Sequence, residues 1–353
     1  MNAVCRHFGA CGGCALQDLA PETYLQQKRA LIVAALARQG IFDPPLREIT
    51  PVPPRSRRRA TLKIEKKNGE IRIGFHAPRS HELIDIQECH VLTPALFTAA
   101  RGIARMLSPL LREGEAADIY MVEAENGIDI ALLWKRRATP DLSAAIAAAA
   151  PALNIVRVTN GHDLLFQTAA PEVCLGKAIV KIPPQAFLQP TREGEITLQE
   201  CVGGAVGKAK RIADLFSGCG TFSLPLAERA RVYAVDADAP MLNALAAAAR
   251  VTSGLKPITI ERRDLLALPL SAAELKPFDA AVLDPPRAGA LAQAKQLVKS
   301  GIRRIAYVSC DAASFARDAR VLLDGGYRLD WIVGVDQFLW SAHIELAAAF
   351  SRN

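Results

Sequence analysis

The feature that most restricts the fold is the alternation along the C-terminal half of the chain. Strand-like apolar runs occur at Arg211–Phe216, Arg231–Asp236, Ile258–Asp264, Phe278–Asp284, Arg304–Cys310, Tyr327–Asp336 and His343–Phe350. Helix-like stretches separate the first six, whereas a short loop separates the last two. Strands alternating with helices build a parallel sheet covered on both faces, the doubly wound α/β class, and the final pair predicts an antiparallel hairpin at its edge. In such sheets ligands bind beyond the carboxyl ends of the strands. The informative residues are therefore those where the runs stop.

The rest of the chain fits around that unit. Its 353 residues suggest two or three domains. A hydrophobic content of 50% with 22% charged residues excludes a disordered or fibrous chain. The first residues carry no apolar signal-peptide core, and the alanine-rich run Ala144–Ala150 stops at Pro151, far short of the ~18 residues of a membrane span. A cytoplasmic protein with reduced thiols is the expectation, so the clustered ones among its eight cysteines point to metal or catalysis rather than disulfides.

Three parts are read: residues 1–92, 93–185 and 186–353. In the first, Pro21 to Gly40 has a helical pattern with Gly40 as the C-terminal stop. Thr61–Ile64 and Ile71–Phe75 read as strands joined at Lys67-Asn68-Gly69, a hairpin signal. The second part reads as a small α+β domain, with a helix over Pro94–Leu111 and strands at Ile119–Glu123, Gly127–Leu133 and Asn154–Thr159.

The first C-terminal strand ends in Asp214-Leu215-Phe216-Ser217-Gly218-Cys219-Gly220-Thr221-Phe222. Gly-x-Gly between a strand and a helix admits a ligand close to the backbone, although Ser223 replaces the third small residue of a dinucleotide fingerprint. The next two strands end at Asp236, suited to ribose hydroxyls, and Asp264, placed to reach a base. Taken singly, these residues read equally as a tight turn and solvated strand-end acids.

As a set they resemble S-adenosylmethionine-dependent RNA uracil-C5 methyltransferases. The resemblance runs through Phe187-Leu188-Gln189-Pro190-Thr191, Asp214 to Ala227, Leu283-Asp284-Pro285-Pro286-Arg287, Tyr307-Val308-Ser309-Cys310-Asp311 and His343-Ile344-Glu345. It implies a Rossmann-like methyltransferase domain in which Gln189, Phe216, Thr221, Asp236, Asp264 and Asp284 line the S-adenosylmethionine site. Thr191 and Thr221 stand where the family commonly has Asn, Asp236 where it has Glu, and Asp311-Ala312 where it has Asn-Pro.

Carbon 5 of uracil is a poor nucleophile toward a methyl sulfonium. Addition of a thiolate to carbon 6 makes the ring an enolate, and a base then removes the carbon 5 proton. The resemblance implies Cys310 as nucleophile and Glu345 as base, with His343 nearby. A strand end followed by a helix start at Ser314 is expected to favour the Cys310 thiolate. Asp284-Pro285-Pro286 is also close to the amino-methylation signature, but Arg287 occupies its aromatic position, and the second motif cysteine of cytosine-C5 enzymes is absent.

Cys5, Cys11, Cys14 and Cys89 supply four soft ligands, open to an iron–sulfur cluster or structural zinc. The resemblance, through Cys14-Ala15-Leu16-Gln17 and Glu88-Cys89-His90, implies the four-iron four-sulfur (4Fe–4S) cluster of the family's 23S ribosomal RNA branch. Cys174, Cys201 and Cys219 have no partner pattern. Arg55 to Arg79 holds nine basic residues and two acids, a patch suited to RNA phosphates within a net charge of +7. The small β-barrel RNA-binding domain found at the start of many relatives is expected to be missing. The implied partner is 23S ribosomal RNA, not DNA or membrane, with the chain acting as a monomer. Competing readings are uracil-C5 methylation of transfer RNA, a non-catalytic iron–sulfur RNA-binding factor, and a nicotinamide-dependent oxidoreductase.

Overall fold

A computed structural model describes residues 3–353; Met1 and Asn2, part of the stretch read for a signal peptide, lie outside them. The first helix, α1 (Pro21–Ala37), opens on a proline, whose missing N–H costs nothing there. It closes as the sequence suggests: Gly40 takes φ +70°, its N–H donates to the Ala37 carbonyl at 2.9 Å, and the Ile41 N–H donates to Leu36 at 3.0 Å.

There follow β1 (Thr50–Pro51), β2 (Arg59–Lys67), β3 (Glu70–His76), β4 (Leu83–Asp85), α2 (Pro94–Leu107), β5 (Ala116–Ala124), β6 (Gly127–Leu133), α3 (Pro140–Ala149), β7 (Ile155–Asn160) and β8 (Asp163–Gln167). The β2–β3 turn is Asn68-Gly69 with both residues at positive φ, which matches the strands' own twist. β2 pairs on its other side with β5, from Arg59 opposite Val122 to Glu65 opposite Ala116. The basic hairpin and the central strands thus form one seven-stranded sheet, ordered β4-β3-β2-β5-β6-β7-β8. Leu62, Ile64, Ile73, Ile119, Met121 and Ile130 are fully buried in its core, against Leu96, Ile103 and Leu107 from α2.

A small hairpin, β9 (Glu172–Leu175) and β10 (Ala178–Lys181), leads into the alternating region. It comprises α4 (Arg192–Val206), β11 (Arg211–Leu215), α5 (Ser223–Ala227), β12 (Arg231–Asp236), α6 (Ala239–Val251), β13 (Ile258–Arg262) and α7 (Ala272–Leu275). Then come β14 (Ala280–Leu283), α8 (Leu291–Lys299), β15 (Arg304–Ser309), α9 (Ala312–Asp324), β16 (Arg328–Asp336) and β17 (Glu345–Ser351). The sheet runs β1-β16-β17-β15-β14-β11-β12-β13, with β11 to β15 mutually parallel. The strand order reverses between β11 and β14, which is where a cofactor crevice opens.

Three details depart from the sequence reading. The antiparallel pair β16–β17 forms, but β17 is interior, hydrogen-bonded to both β15 and β16, and β1 lies outside β16. α9 begins at Ala312 rather than Ser314, because the Asp311 carboxylate accepts from the N–H groups of Ala313 and Ser314 at 3.1 and 2.8 Å. Residues 21–51 lie with the C-terminal sheet: Ile32 and Leu36 are fully buried in the same cluster as Ile332 and Phe350. Among the described residues no helix is long and apolar enough to cross a membrane.

Candidate active site

At the carboxyl end of β11 the chain turns sharply, with Phe216, Gly218 and Gly220 at φ +67°, +53° and +98°. A Cβ on Gly220 would come within 2.5 Å of Leu245 Cδ1, so this position excludes any side chain. Ser223, the irregular fingerprint residue, donates its hydroxyl to Asp214 Oδ2 at 2.6 Å. Asp214 is completely buried, and burial pushes its carboxyl up to about 7. Asp236 accepts the N–H groups of Gly218 and Asp238, each at 2.8 Å, which stitches the β11 turn to the end of β12. Asp264 caps its own turn by accepting from Leu266 at 3.0 Å.

These strand ends open on one cavity of about 680 Å³, lined by Gln189, Phe216, Thr221, Asp236, Asp264 and Asp284 together with Cys310 and Glu345. All eight residues singled out in the sequence for cofactor and catalysis therefore meet in one space. Cys310 follows β15 and Glu345 opens β17; the antiparallel register pairs Ser309 with Leu346, which brings the two together at the strand ends. Glu345 is buried, not a solvated strand acid.

The electrostatics of the cavity reverse one expectation. Burial first, and then the neighbouring Glu345 and Asp284 charges, push the Cys310 thiol up to about 11. The helix start gives little help because the Asp311 side chain already takes its leading N–H groups. Burial and Asp284 push Glu345 up to about 8, and burial with Asp214 and Asp236 pushes Asp284 up to about 7. The site is a concentration of buried acids, suited to receive a cation.

Sequence reasoning missed Gln337 and did not place the basic run at the rim of this cavity. Gln337 donates to Gln189 Oε1 at 2.8 Å and to Glu345 Oε2 at 2.9 Å, while Gln189 donates to Asp284 at 3.1 Å. Gln337 follows the last residue of β16, so the rule that found the aspartates would have found it. At the rim the Arg59 guanidinium lies 4.3 Å from the Phe187 ring centre, and Arg57 lies 5.9 Å from that of Phe338. The basic run itself divides: Arg55 is exposed, whereas Arg58 is buried, bonded to Glu195 at 2.6 Å and to the Gln189 carbonyl at 3.1 Å.

Cys5, Cys11, Cys14 and Cys89 line a second cavity of about 210 Å³, closed by Phe75, Ile86 and Leu92, and Arg57 borders both cavities. All four are free thiols. A Cβ on Gly12 would lie 2.5 Å from the His76 carbonyl, so the glycine is needed for this loop to pack on β3. Among the described residues, no three His, Cys, Asp or Glu side chains stand close enough to grip a single metal ion. Cys174 and Cys201 are half-buried and Cys219 is buried, all free thiols.

Comparison with known proteins agrees with this geometry. The family model for tRNA (uracil-5-)-methyltransferases matches residues 129–353. An RNA methyltransferase of Brucella suis, otherwise uncharacterized, is 40% identical over 353 residues, covering 100% of this chain and 85% of the relative. The 23S rRNA (uracil(1939)-C(5))-methyltransferase RlmD of Halomonas elongata is 32% identical over 364 residues, covering 97% of this chain and 74% of the relative. The crystal structure of the Pyrococcus abyssi tRNA (uracil-54, C5)-methyltransferase, in complex with S-adenosyl-L-homocysteine, shares the fold with a TM-score of 0.74. It is 24% identical and covers 97% of this chain and 86% of its own. The chain is an enzyme of the S-adenosylmethionine-dependent RNA uracil-C5 methyltransferase family.

Proposed function

We propose that the chain transfers a methyl group from S-adenosylmethionine to carbon 5 of a uridine in 23S ribosomal RNA, with Cys310 as nucleophile and Glu345 as base. The observation that carries this reading is the pairing of Cys310 and Glu345 in one cavity with the strand-end acids. Asp236 would hold the cofactor's ribose, Asp264 would approach its base, and Gln189, Phe216, Thr221 and Asp284 would enclose the remainder. When bound, the cofactor supplies an electrophilic methyl group and a positive charge.

The Cys310 thiolate would add to carbon 6 of the flipped uracil, and the ring electrons at carbon 5 would take the methyl group as its bond to the cofactor's sulfur breaks, leaving that sulfur as a neutral thioether. Glu345 accepts the carbon 5 proton, the carbon 6–sulfur bond breaks, and Cys310 leaves as thiolate. A carboxyl held near 8 is matched to a proton transfer at neutral pH. Burial, Glu345 and Asp284 hold the Cys310 thiol up, and a positive charge bound in this cavity would oppose the two acids and favour the thiolate.

Cys5, Cys11, Cys14 and Cys89 are assigned as ligands of a 4Fe–4S cluster. Four unpaired thiols lining one cavity support it, since four cysteine thiolates are the ligand set of such a cluster. The segment 1–92 and its basic hairpin, with Arg55, Lys63 and Lys67, are assigned to RNA phosphates, the part 93–185 to scaffolding and 186–353 to catalysis. The Halomonas relative supports ribosomal over transfer RNA.

The test is methyl transfer by the purified enzyme to unmodified 23S ribosomal RNA and to transfer RNA, with 5-methyluridine located in the product. Methylation confined to 23S RNA is expected, abolished in Cys310→Ala and stalled as a protein–RNA adduct in Glu345→Gln. Transfer RNA as the sole substrate, or full activity in Cys310→Ala, would overturn the reading. An anaerobic preparation containing zinc, without iron or acid-labile sulfide, would overturn the cluster.

A further inference from the structure

We infer that Gln337 is a positioning residue for the general base: its side-chain amide orients the Glu345 carboxylate and ties it to the Gln189–Asp284 pair across the cavity. The inference rests on the base role proposed for Glu345. Gln337 is 1% exposed, and both N–H bonds of its amide are committed, one to Glu345 Oε2 at 2.9 Å and one to Gln189 Oε1 at 2.8 Å. Gln189 in turn donates to Asp284 Oδ2 at 3.1 Å. Two carboxylates are thereby joined through two amides, with both N–H bonds of Gln337 and one of Gln189 engaged.

The arrangement fixes more than distance. With Oε2 engaged by Gln337, Oε1 of Glu345 is the oxygen with no hydrogen bond among the described residues, and it is the one left to receive a proton. A donor on the carboxylate also favours its charged form. The other groups acting on Glu345 are Asp284, which opposes its ionisation, Arg59, which favours it, and Cys310 across the strand pair. Gln337 is the only one of these that hydrogen-bonds it among the described residues.

A second observation points the same way. The Gln337 Oε1 atom is buried without a partner, beside α4. A Cβ on Gly194 would stand 2.6 Å from that oxygen and 3.0 Å from the Gln337 Cβ. Gly194 lies in the first turn of α4, where a Cβ would also meet the Thr191 hydroxyl at 2.8 Å, so the bare position makes room for this side chain and for the residue that caps the helix.

The test follows the pH dependence of adduct resolution. Enzyme, S-adenosylmethionine and an unmodified 23S ribosomal RNA transcript are mixed in a single turnover, and the decay of the denaturant-stable protein–RNA adduct is timed from pH 6 to 10. Gln337→Met removes the donor, Gln337→Glu replaces it with a second acid, and Gly194→Ala displaces it without altering it. Each should move the midpoint of the rise in resolution rate upward by about one pH unit, the scale of one hydrogen bond to a charged group, with adduct accumulating at pH 7. Thermal melting and cofactor binding identify any variant that fails to fold, and the remaining variants then decide. Wild-type pH profiles in folded variants, with Cys310→Ala inactive and Glu345→Gln stalled, would overturn this inference alone. Undiminished methylation by Cys310→Ala would remove the functional reading beneath it.

Discussion

Replacing Lys28 by Met should destabilise the protein far more than any surface charge change. The Lys28 and Asp336 side chains are both 0% exposed and their Nζ and Oδ1 atoms are 2.7 Å apart. The ammonium also donates to the Phe338 carbonyl at 3.2 Å and to that of His343, and Tyr24 donates its hydroxyl to the second Asp336 oxygen. Burial pulls Lys28 below its ordinary range and pushes Asp336 above its own, so desolvation outweighs the pair's mutual attraction. The pair itself therefore adds little net stability, but breaking it leaves a carboxylate buried with a single hydroxyl donor. That loss is about 3–5 kcal/mol, while the double variant Lys28→Met/Asp336→Leu, with no orphaned charge, should recover most of it. Urea unfolding of the wild type, both single variants and the double variant gives the coupling energy directly. A Lys28→Met loss below about 1 kcal/mol, or a double variant worse than the worse single, would refute the argument. The pair anchors both ends of the 337–344 loop that leads into Glu345, so turnover should fall at temperatures where Lys28→Met is still folded.

Further expectations concern charge and close packing. Asp214, held at about 7 against an ordinary 3.8, binds its proton more tightly when folded, so its contribution is fully present below pH 4 and is lost as pH rises toward 7. The melting temperature of Asp214→Asn should accordingly gain on the wild type across that window; a pH-independent gap would contradict it. Alkylation of Cys310, followed by mass spectrometry, should accelerate with a cofactor analogue carrying a protonated amine in place of the sulfonium and not with S-adenosylhomocysteine, whose sulfur is uncharged. Equal rates would show that the thiol does not sense the cofactor's charge. Gly74→Ala would put a Cβ 2.1 Å from the Ile84 carbonyl, forcing β3 from β4 at a cost of about 1–3 kcal/mol in denaturant unfolding; a neutral result would mean the edge strand yields freely.

The doubly wound sheet was legible because its central strands, buried on both faces, read as unbroken apolar runs such as Ala280–Leu283. The cavity was legible for the same reason, since polar residues ending such runs have few other places to be. What stayed hidden depends on contacts distant in sequence. Nothing local to Ile32 or Leu36 says that they cover a sheet completed 300 residues later. The Cys310 expectation went astray because a strand end and a helix start were weighed without the burial of the thiol and the acids that folding brings beside it. Arg58 looked like its basic neighbours, and only its burial against Glu195 separates a structural arginine from those at the rim.

The return of the first helix to the last strands has a consequence for how the protein is made. Lys28 leaves the ribosome 308 residues before the carboxylate that neutralises it, an interval of about 15–60 s at ordinary elongation rates. Throughout that time the apolar stripe of Ile32 and Leu36 has no surface to cover, while the β2–β8 sheet is free to fold from a contiguous stretch. Assembly is therefore predicted to run from the middle outward, with the nascent first helix a natural client for a chaperone. A fragment begun at the catalytic half would carry the complementary defect, a sheet face stripped of its cover.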